Sequence, residues 1–183
     1  MKGYKSETQS KNLAWILPRP KPDKYKGGMP LYCEEWLIEL AKDTLGKNTD
    51  SLLNVFCGMN KYGYRVDLNP VVKPDLACDI HKLSFFLNIK FDIILADPPY
   101  SDEENEKLYS THLPKLNYKK WTNECDKLLN PGGLLIVYHK YMVPNPNPEK
   151  YTVVKRVTIL NRVWHIPRVA MYFKKSGDIH KRY

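Results

Sequence analysis

Three short runs constrain this chain more than anything else in it. Leu52 to Phe56, Phe91 to Ala96 and Leu134 to His139 are apolar on consecutive residues rather than on alternate ones. A strand with one wet face alternates, so near-continuous apolar runs belong to strands covered on both faces, the habit of parallel sheets flanked by helices. Weaker runs at Tyr64 to Leu68 and Leu76 to Cys78 extend the set. Helical spacing appears between them. Leu31 to Ala41 predicts a helix ending near Gly46, and Leu116 to Leu129 predicts a second, with Trp121, Cys125, Leu128 and Leu129 recurring along it. Asn130-Pro131-Gly132-Gly133 then reads as a helix end followed by a turn. Strands alternating with helices predict an α/β sheet. The last third differs, because Tyr151 to Leu160 and Arg168 to Lys174 are separated only by a short polar link. They are expected to form an antiparallel hairpin on one edge.

Length and charge set the remaining bounds. A chain of 183 residues is expected to be one domain that buries its own core. Its longest apolar stretches are too short to cross a bilayer, and the opening MKGYKSETQSKN lacks the apolar core of a secretory signal. A soluble cytoplasmic protein with no membrane partner is the expectation. Cys33, Cys57, Cys78 and Cys125 lie far apart with no C-x-x-C pair, which predicts reduced thiols and no metal site. Lys and Arg outnumber Asp and Glu by 29 to 20, for a net charge of +9. The excess gathers in residues 2 to 26, in Lys115 to Lys120 and from Lys150 onward, a balance that favours a polyanionic partner. Pro18, Pro20 and Pro22 give residues 1–24 the character of an extended basic arm. A domain over 25–175 and a basic tail over 176–183 follow.

One step stands out chemically. The apolar run Phe91 to Ala96 stops at Asp97-Pro98-Pro99-Tyr100. Two prolines make the chain leave the sheet in a fixed direction, and ligands of open α/β sheets bind outside the carboxyl ends of the strands. A carboxylate at Asp97 and a carbonyl at Pro98 are acceptors for the two N–H groups of an exocyclic amine, and Tyr100 offers a flat face for a base. Asp97 could instead cap its own turn.

Asp97-Pro98-Pro99-Tyr100 in this setting resembles the signature of the class I S-adenosylmethionine-dependent methyltransferases that modify exocyclic amines, especially adenine N6 in DNA. The resemblance implies a Rossmann-like α/β fold with a mostly parallel sheet, flanking helices and an antiparallel C-terminal hairpin. It also implies S-adenosylmethionine as cofactor. Asn54, Phe56, Cys57 and Gly58 resemble the first strand and glycine turn that face the cofactor's methionine moiety. Asp67, with Leu68, stands where an acidic residue takes the ribose hydroxyls, and Asp79-Ile80 where a turn meets the adenine. Gly28-Met29-Pro30 resembles the cofactor-facing segment before the first helix. Gly58 could instead be an ordinary strand-end turn, and Asp67 and Asp79 could cap local turns. The chain departs from the dinucleotide pattern, since Met59-Asn60 follows Gly58 and Asp67 comes only nine residues on. That leaves no room for a full helix between those strands.

By the same resemblance, Asp97, Pro98, Pro99 and Tyr100 are the catalytic set for direct methyl transfer. Tyr100 is expected to act through its ring rather than its hydroxyl. Nucleic acid is the expected partner, DNA favoured and RNA possible, with a specificity subunit or a second copy of the chain left open. Two alternatives remain: a base amino-methyltransferase acting on RNA at adenine N6 or guanine N2, and an inactive methyltransferase-like binding subunit. No long insert is present that could serve as a target-recognition domain.

Overall fold

The structure, a computed structural model, describes residues 12–16, 28–29, 31–100, 115–160 and 167–177, with only the backbone at 12–16. Among them, eight strands form one sheet: β1 (Asn12–Ile16), β2 (Leu52–Val55), β3 (Tyr64–Asp67), β4 (Leu76–Ala77), β5 (Phe91–Ala96), β6 (Leu129–His139), β7 (Tyr151–Leu160) and β8 (Arg168–Lys175). The order across the sheet is β1-β7-β8-β6-β5-β2-β3-β4. Every pairing is parallel except those of β8, which runs antiparallel to both β6 and β7. The predicted mostly parallel sheet with a C-terminal antiparallel hairpin is the observed one.

Helices cover both faces, as the continuous apolar runs require. Side chains of neighbouring residues in a strand point to opposite faces, and the two cores sort accordingly. Leu53, Val55, Ile94, Ala96, Leu135 and Val137 pack on one side with Trp121, Cys125 and Leu128 of α3 (Tyr118–Leu128) and Leu83 of the single-turn α2 (Leu83–Phe86). Leu52, Ile93, Leu95, Leu134 and Ile136 pack on the other with Cys33, Leu37, Ile38 and Ala41 of α1 (Leu31–Leu45). The Tyr172 hydroxyl of β8 donates to the Leu37 carbonyl at 3.0 Å and ties α1 to the sheet. All four cysteines are free and buried. No helix among the described residues is long and apolar enough to cross a membrane.

Three local features differ from the sequence expectation. Asn130-Pro131-Gly132-Gly133 lies inside β6 rather than in a turn before it: Leu129 pairs with Phe91, and Leu134, five residues on, pairs with Ile93, two residues on. The segment is a bulge. Gly132 takes a φ of 76°, and a Cβ on Gly133 would lie 2.8 Å from the Asp92 carbonyl oxygen, so both glycines are needed for the chain to pass. Second, the hairpin is not the edge. β1 pairs in parallel with β7 from Asn12↔Arg156 to Ile16↔Leu160, so part of the expected arm joins the sheet and satisfies backbone groups that a ten-residue edge strand would expose. Third, the local turns that Asp67 and Asp79 could cap prove to be two short 3-10 helices, Pro70–Val72 and Ile80–Lys82, the second capped by Asp79 and the first by Asn69 rather than Asp67. The remainder of the arm, the loop Ser101 to Ser110, Pro30, most of the Trp164 to Arg168 link and the tail beyond Gly177 lie outside the described residues.

Candidate active site

The strand register sets a common rim. Val55 of β2 pairs with Ala96 of β5 and Val66 of β3, Asp67 with Ala77 of β4, and Ala96 with Val137 of β6. Asp97, Phe56, Leu68 and Cys78 therefore leave the sheet along one edge of carboxyl ends. From β2 the chain crosses outward to β3 and β4, then returns to β5 on the other side of β2, so the sheet order reverses between β2 and β5. That reversal is the crevice where open α/β sheets bind ligands. The Asp97 N–H donates to the Val55 carbonyl at 3.4 Å and holds the two strand exits together.

A buried polar network shapes the turn after β2. Asn54 points to the α1 face, where its Nδ2 donates to Glu34 Oε1 at 2.8 Å, and Asn60 Nδ2 donates to Asn54 Oδ1 at 3.3 Å. Glu34 also accepts the N–H groups of Lys61 and Tyr62, and Asn60 Oδ1 accepts from the Met29 N–H at 2.9 Å. Glu34, Asn54 and Asn60 are almost fully buried. Burial raises the Glu34 carboxyl above its ordinary range, against the pull of the Lys61, Tyr62 and Asn54 donors. The turn itself is tight. Phe56 and Gly58 both have positive φ, 56° and 49°, a conformation costing a non-glycine residue on the order of 1 kcal/mol. Phe56 holds it with its ring edge-on to Trp121, centroids 5.4 Å apart. Cys57 is wholly enclosed, and burial pushes its thiol up to about 12, so it is no nucleophile.

The two carboxylates on neighbouring strand ends are already partly engaged. Asp67 Oδ2 accepts the Gly58 N–H at 2.8 Å and Oδ1 the Asn69 N–H at 2.9 Å. Asp79 Oδ1 accepts both the backbone N–H and the ring Nδ1 of His81, each at 2.9 Å. His81 Nε2 in turn accepts from the Asn117 N–H at 3.1 Å, which leaves the ring proton on Nδ1 and ties this turn to the start of α3. Each carboxylate thus caps a turn and keeps free lone pairs for a ligand hydroxyl or amine.

Beyond β5 the side chains gather around Tyr100. Its hydroxyl donates to Asp97 Oδ1 at 3.4 Å and accepts from Arg168 Nε at 3.1 Å. The Arg168 guanidinium carbon lies 4.7 Å and the Lys140 ammonium 4.9 Å from the ring centroid. His139 meets the ring edge at 5.2 Å and leads to Tyr141, which is 62% exposed. Burial pushes the Asp97 carboxyl up to about 7, while the Arg168 charge and the Tyr100 hydroxyl pull the other way.

Comparison with solved structures places the fold. TrmN from Thermus thermophilus superposes with a TM-score of 0.57 at 18% identity over 82% of this chain. An S-adenosylmethionine-dependent methyltransferase from Clostridium acetobutylicum gives 0.55 at 14% over 81% of this chain and 93% of its own. The N-methyltransferase NodS from Bradyrhizobium japonicum, in complex with S-adenosyl-L-homocysteine, gives 0.53 at 14% over 79% of this chain and 86% of its own. The fold is that of the class I methyltransferases. The chain spans half the length of TrmN. No family profile and no curated protein matches the sequence.

Within the methyltransferase fold, the sequence-predicted residues divide clearly. Gly58, Asp67, Leu68, Asp79, Asp97 and Tyr100 stand at the rim of carboxyl ends. Asn54, Cys57 and Ile80 turn inward: Asn54 holds the β2 turn, while Cys57 and Ile80 are buried. Met29 is also buried, on the α1 side, and is fixed through its N–H by Asn60. Pro98 is buried and Pro99 half-buried. Sequence reasoning missed Glu34, Asn60 and His81, and it reaches Arg168 only as the end of a Trp164 to Arg168 link that could face the substrate or simply pack as a turn. A glutamate three residues into a helical run reads as a favourable first-turn charge, and nothing in the sequence shows that it faces the sheet.

Proposed function

We propose that this protein transfers a methyl group from S-adenosylmethionine to the exocyclic amine of a nucleobase, with adenine N6 in DNA the favoured target. One observation carries the reading: Asp97, first residue of an Asp-Pro-Pro-Tyr step, is hydrogen-bonded to the end of β2 at the point where the sheet order reverses. Two of the structural neighbours support the chemistry in their own names, an S-adenosylmethionine-dependent methyltransferase and an N-methyltransferase holding S-adenosyl-L-homocysteine.

The rim fits the cofactor. Asp67 and Asp79 offer acceptors on adjacent strand ends for ribose hydroxyls and an adenine amine. Met59 and Leu68 are exposed beside them and offer apolar surface to a base. Bound there, S-adenosylmethionine supplies an electrophilic methyl on a sulfonium. Asp97 and the Pro98 carbonyl accept the amine's two N–H groups, turn its lone pair toward the methyl and stabilise the positive charge that grows on nitrogen. Holding the two reactants in line removes entropy from the barrier. The methylated amine is strongly acidic, so its proton leaves to Asp97 or to water without a separate strong base. A base that stacks on Tyr100 takes the place of Arg168 or Lys140 over the ring, and exposed Tyr141 supplies a second aromatic face nearby.

Calorimetry with S-adenosylmethionine and S-adenosylhomocysteine is expected to show binding. Labelled methyl transfer onto DNA and RNA pools, followed by nucleoside analysis, is expected to give N6-methyladenine from DNA. Asp97→Ala should lower turnover at least a hundredfold, about 2.7 kcal/mol or more, with cofactor affinity little changed. Folded protein that binds neither cofactor form would refute the enzyme reading, and label found only in RNA would move the substrate to RNA.

A further inference from the structure

A groove of about 440 Å³ runs between α3 and the segment joining β6 to β7, away from Asp97. Its lining carries ammonium and amide groups, from Asn117 at the helix cap, from Lys119, Lys120 and Asn123 on the helix and from Asn147 and Lys150 on the segment. The apolar side chains of α3, Trp121, Cys125 and Leu128, face the opposite way into the core.

We infer that this groove seats the sugar-phosphate backbone of the nucleic-acid strand whose base is presented to Asp97; the inference rests on the nucleobase reading above. Charge is the first argument. Lys119, Lys120 and Lys150 are exposed, and the first two form no ion pair among the described residues. The carboxylate in the lining, Asp126, is already answered by Lys150 at 2.8 Å, by Lys175 at 3.1 Å and by the Tyr151 hydroxyl at 2.9 Å. Exposed Glu149 is the sole acidic residue of the segment 140–150, so the groove stays net positive.

Donor chemistry points the same way. Asn117 Oδ1 accepts the Lys120 N–H at 2.9 Å, and Asn147 Oδ1 accepts the Glu149 N–H at 3.0 Å. With their oxygens engaged, these amides have Nδ2 donors left to offer. Ammonium groups and amide N–H groups together make a surface for phosphate oxygens.

Placement is the third argument. α3 begins at the active-site rim, where the Asn117 N–H donates to His81 and the Tyr118 hydroxyl to the Pro144 carbonyl at 2.7 Å. It ends at Leu128, where β6 begins, at the end of the sheet opposite the rim. Eleven residues of helix span about 16 Å, room for roughly four or five nucleotides at a rise of about 3.4 Å. A strand in the groove therefore leads to the rim, and a backbone track supplies grip along it.

The test is fluorescence anisotropy with a labelled single-stranded DNA oligonucleotide and an RNA of the same sequence, over a salt series. The wild type is compared with the double variant Lys119→Ala/Lys120→Ala and, separately, with Lys150→Ala. The double variant is expected to bind about tenfold more weakly, with the slope of log affinity against log salt shallower by about 1.5. Lys150→Ala should shift both readings the same way by a smaller amount. Calorimetric S-adenosylmethionine affinity equal to wild type serves as the folding control. Whichever of DNA and RNA binds tighter identifies the source of the backbone. Unchanged affinity and slope in all variants would overturn the groove and leave the nucleobase reading intact. A wild type that binds neither oligonucleotide would overturn both. Displacement by polyglutamate as readily as by unlabelled oligonucleotide at matched charge would overturn the assignment to a phosphodiester backbone.

Discussion

Asp97 has to accept hydrogen bonds at a place where burial works against its charge. Only the ionised carboxylate is a pure acceptor, and its ionisation is pushed up to about 7, into the range where activity can be followed. The rate of methyl transfer is therefore expected to rise with pH through about 7 and level off above it. Arg168 is the charge that opposes the shift, and it reaches Asp97 through the Tyr100 hydroxyl. Replacing it with a neutral side chain of similar length, Arg168→Met, removes a nearby positive charge and disfavours the anion, so the midpoint should move to higher pH. Rates measured from mildly acid to alkaline pH on one oligonucleotide check this, and an unmoved midpoint would deny Arg168 its positioning role. The Asp-Pro-Pro-Tyr step was legible because both its residue types and its place after an apolar run are local. The bond from Arg168 to Tyr100 was not, because it forms only through the antiparallel return of β8 beside β6, 68 residues from Tyr100 in sequence.

At the scale of elements, the turn after β2 shows why period alone recovers strands but not sites. Leu52, Leu53 and Val55 announce a strand, whereas Asn54 in their midst looks like an interruption. It becomes intelligible once α1 is packed against that face and Glu34 is found waiting for it. The same limit explains Asn130 to Gly133: four strong turn formers read as a loop, and only the neighbouring β5 shows that they are a bulge. Glu34 carries the consequence. Glu34→Ala would leave the buried Asn54 amide only its 3.4 Å bond to the Tyr62 carbonyl and the Lys61 and Tyr62 N–H groups without an acceptor, at a cost of about 1–3 kcal/mol for each group left unsatisfied. Urea unfolding should show a midpoint well below wild type. Because Met29, Asn60 and Gly58 depend on the same turn, calorimetry on the folded fraction should also show weakened S-adenosylmethionine binding. Wild-type stability together with wild-type affinity would remove Glu34 from the account.

Across the whole molecule, the sheet separates two tasks by distance. The expected ligand rim lies among β2, β3, β4 and β5, while β1 closes the opposite end by pairing with β7 alone. Leu13 to Ile16 is an apolar run of four residues that could have been read as a strand, but lysines before it and prolines after it gave the surrounding segment the look of an arm. An uncovered ten-residue β7 would present a row of unpaired backbone groups to other molecules, the usual route to edge-to-edge association. Deleting residues 1–16 is therefore expected to raise self-association, seen as larger species by light scattering and size-exclusion chromatography. Cofactor binding should survive, since β2 and its turn are separated from β7 by three intervening strands, β8, β6 and β5. A truncated protein that stays monodisperse yet loses S-adenosylmethionine affinity would reverse this division, and would mean that the N-terminal strand serves the ligand rim rather than the sheet edge.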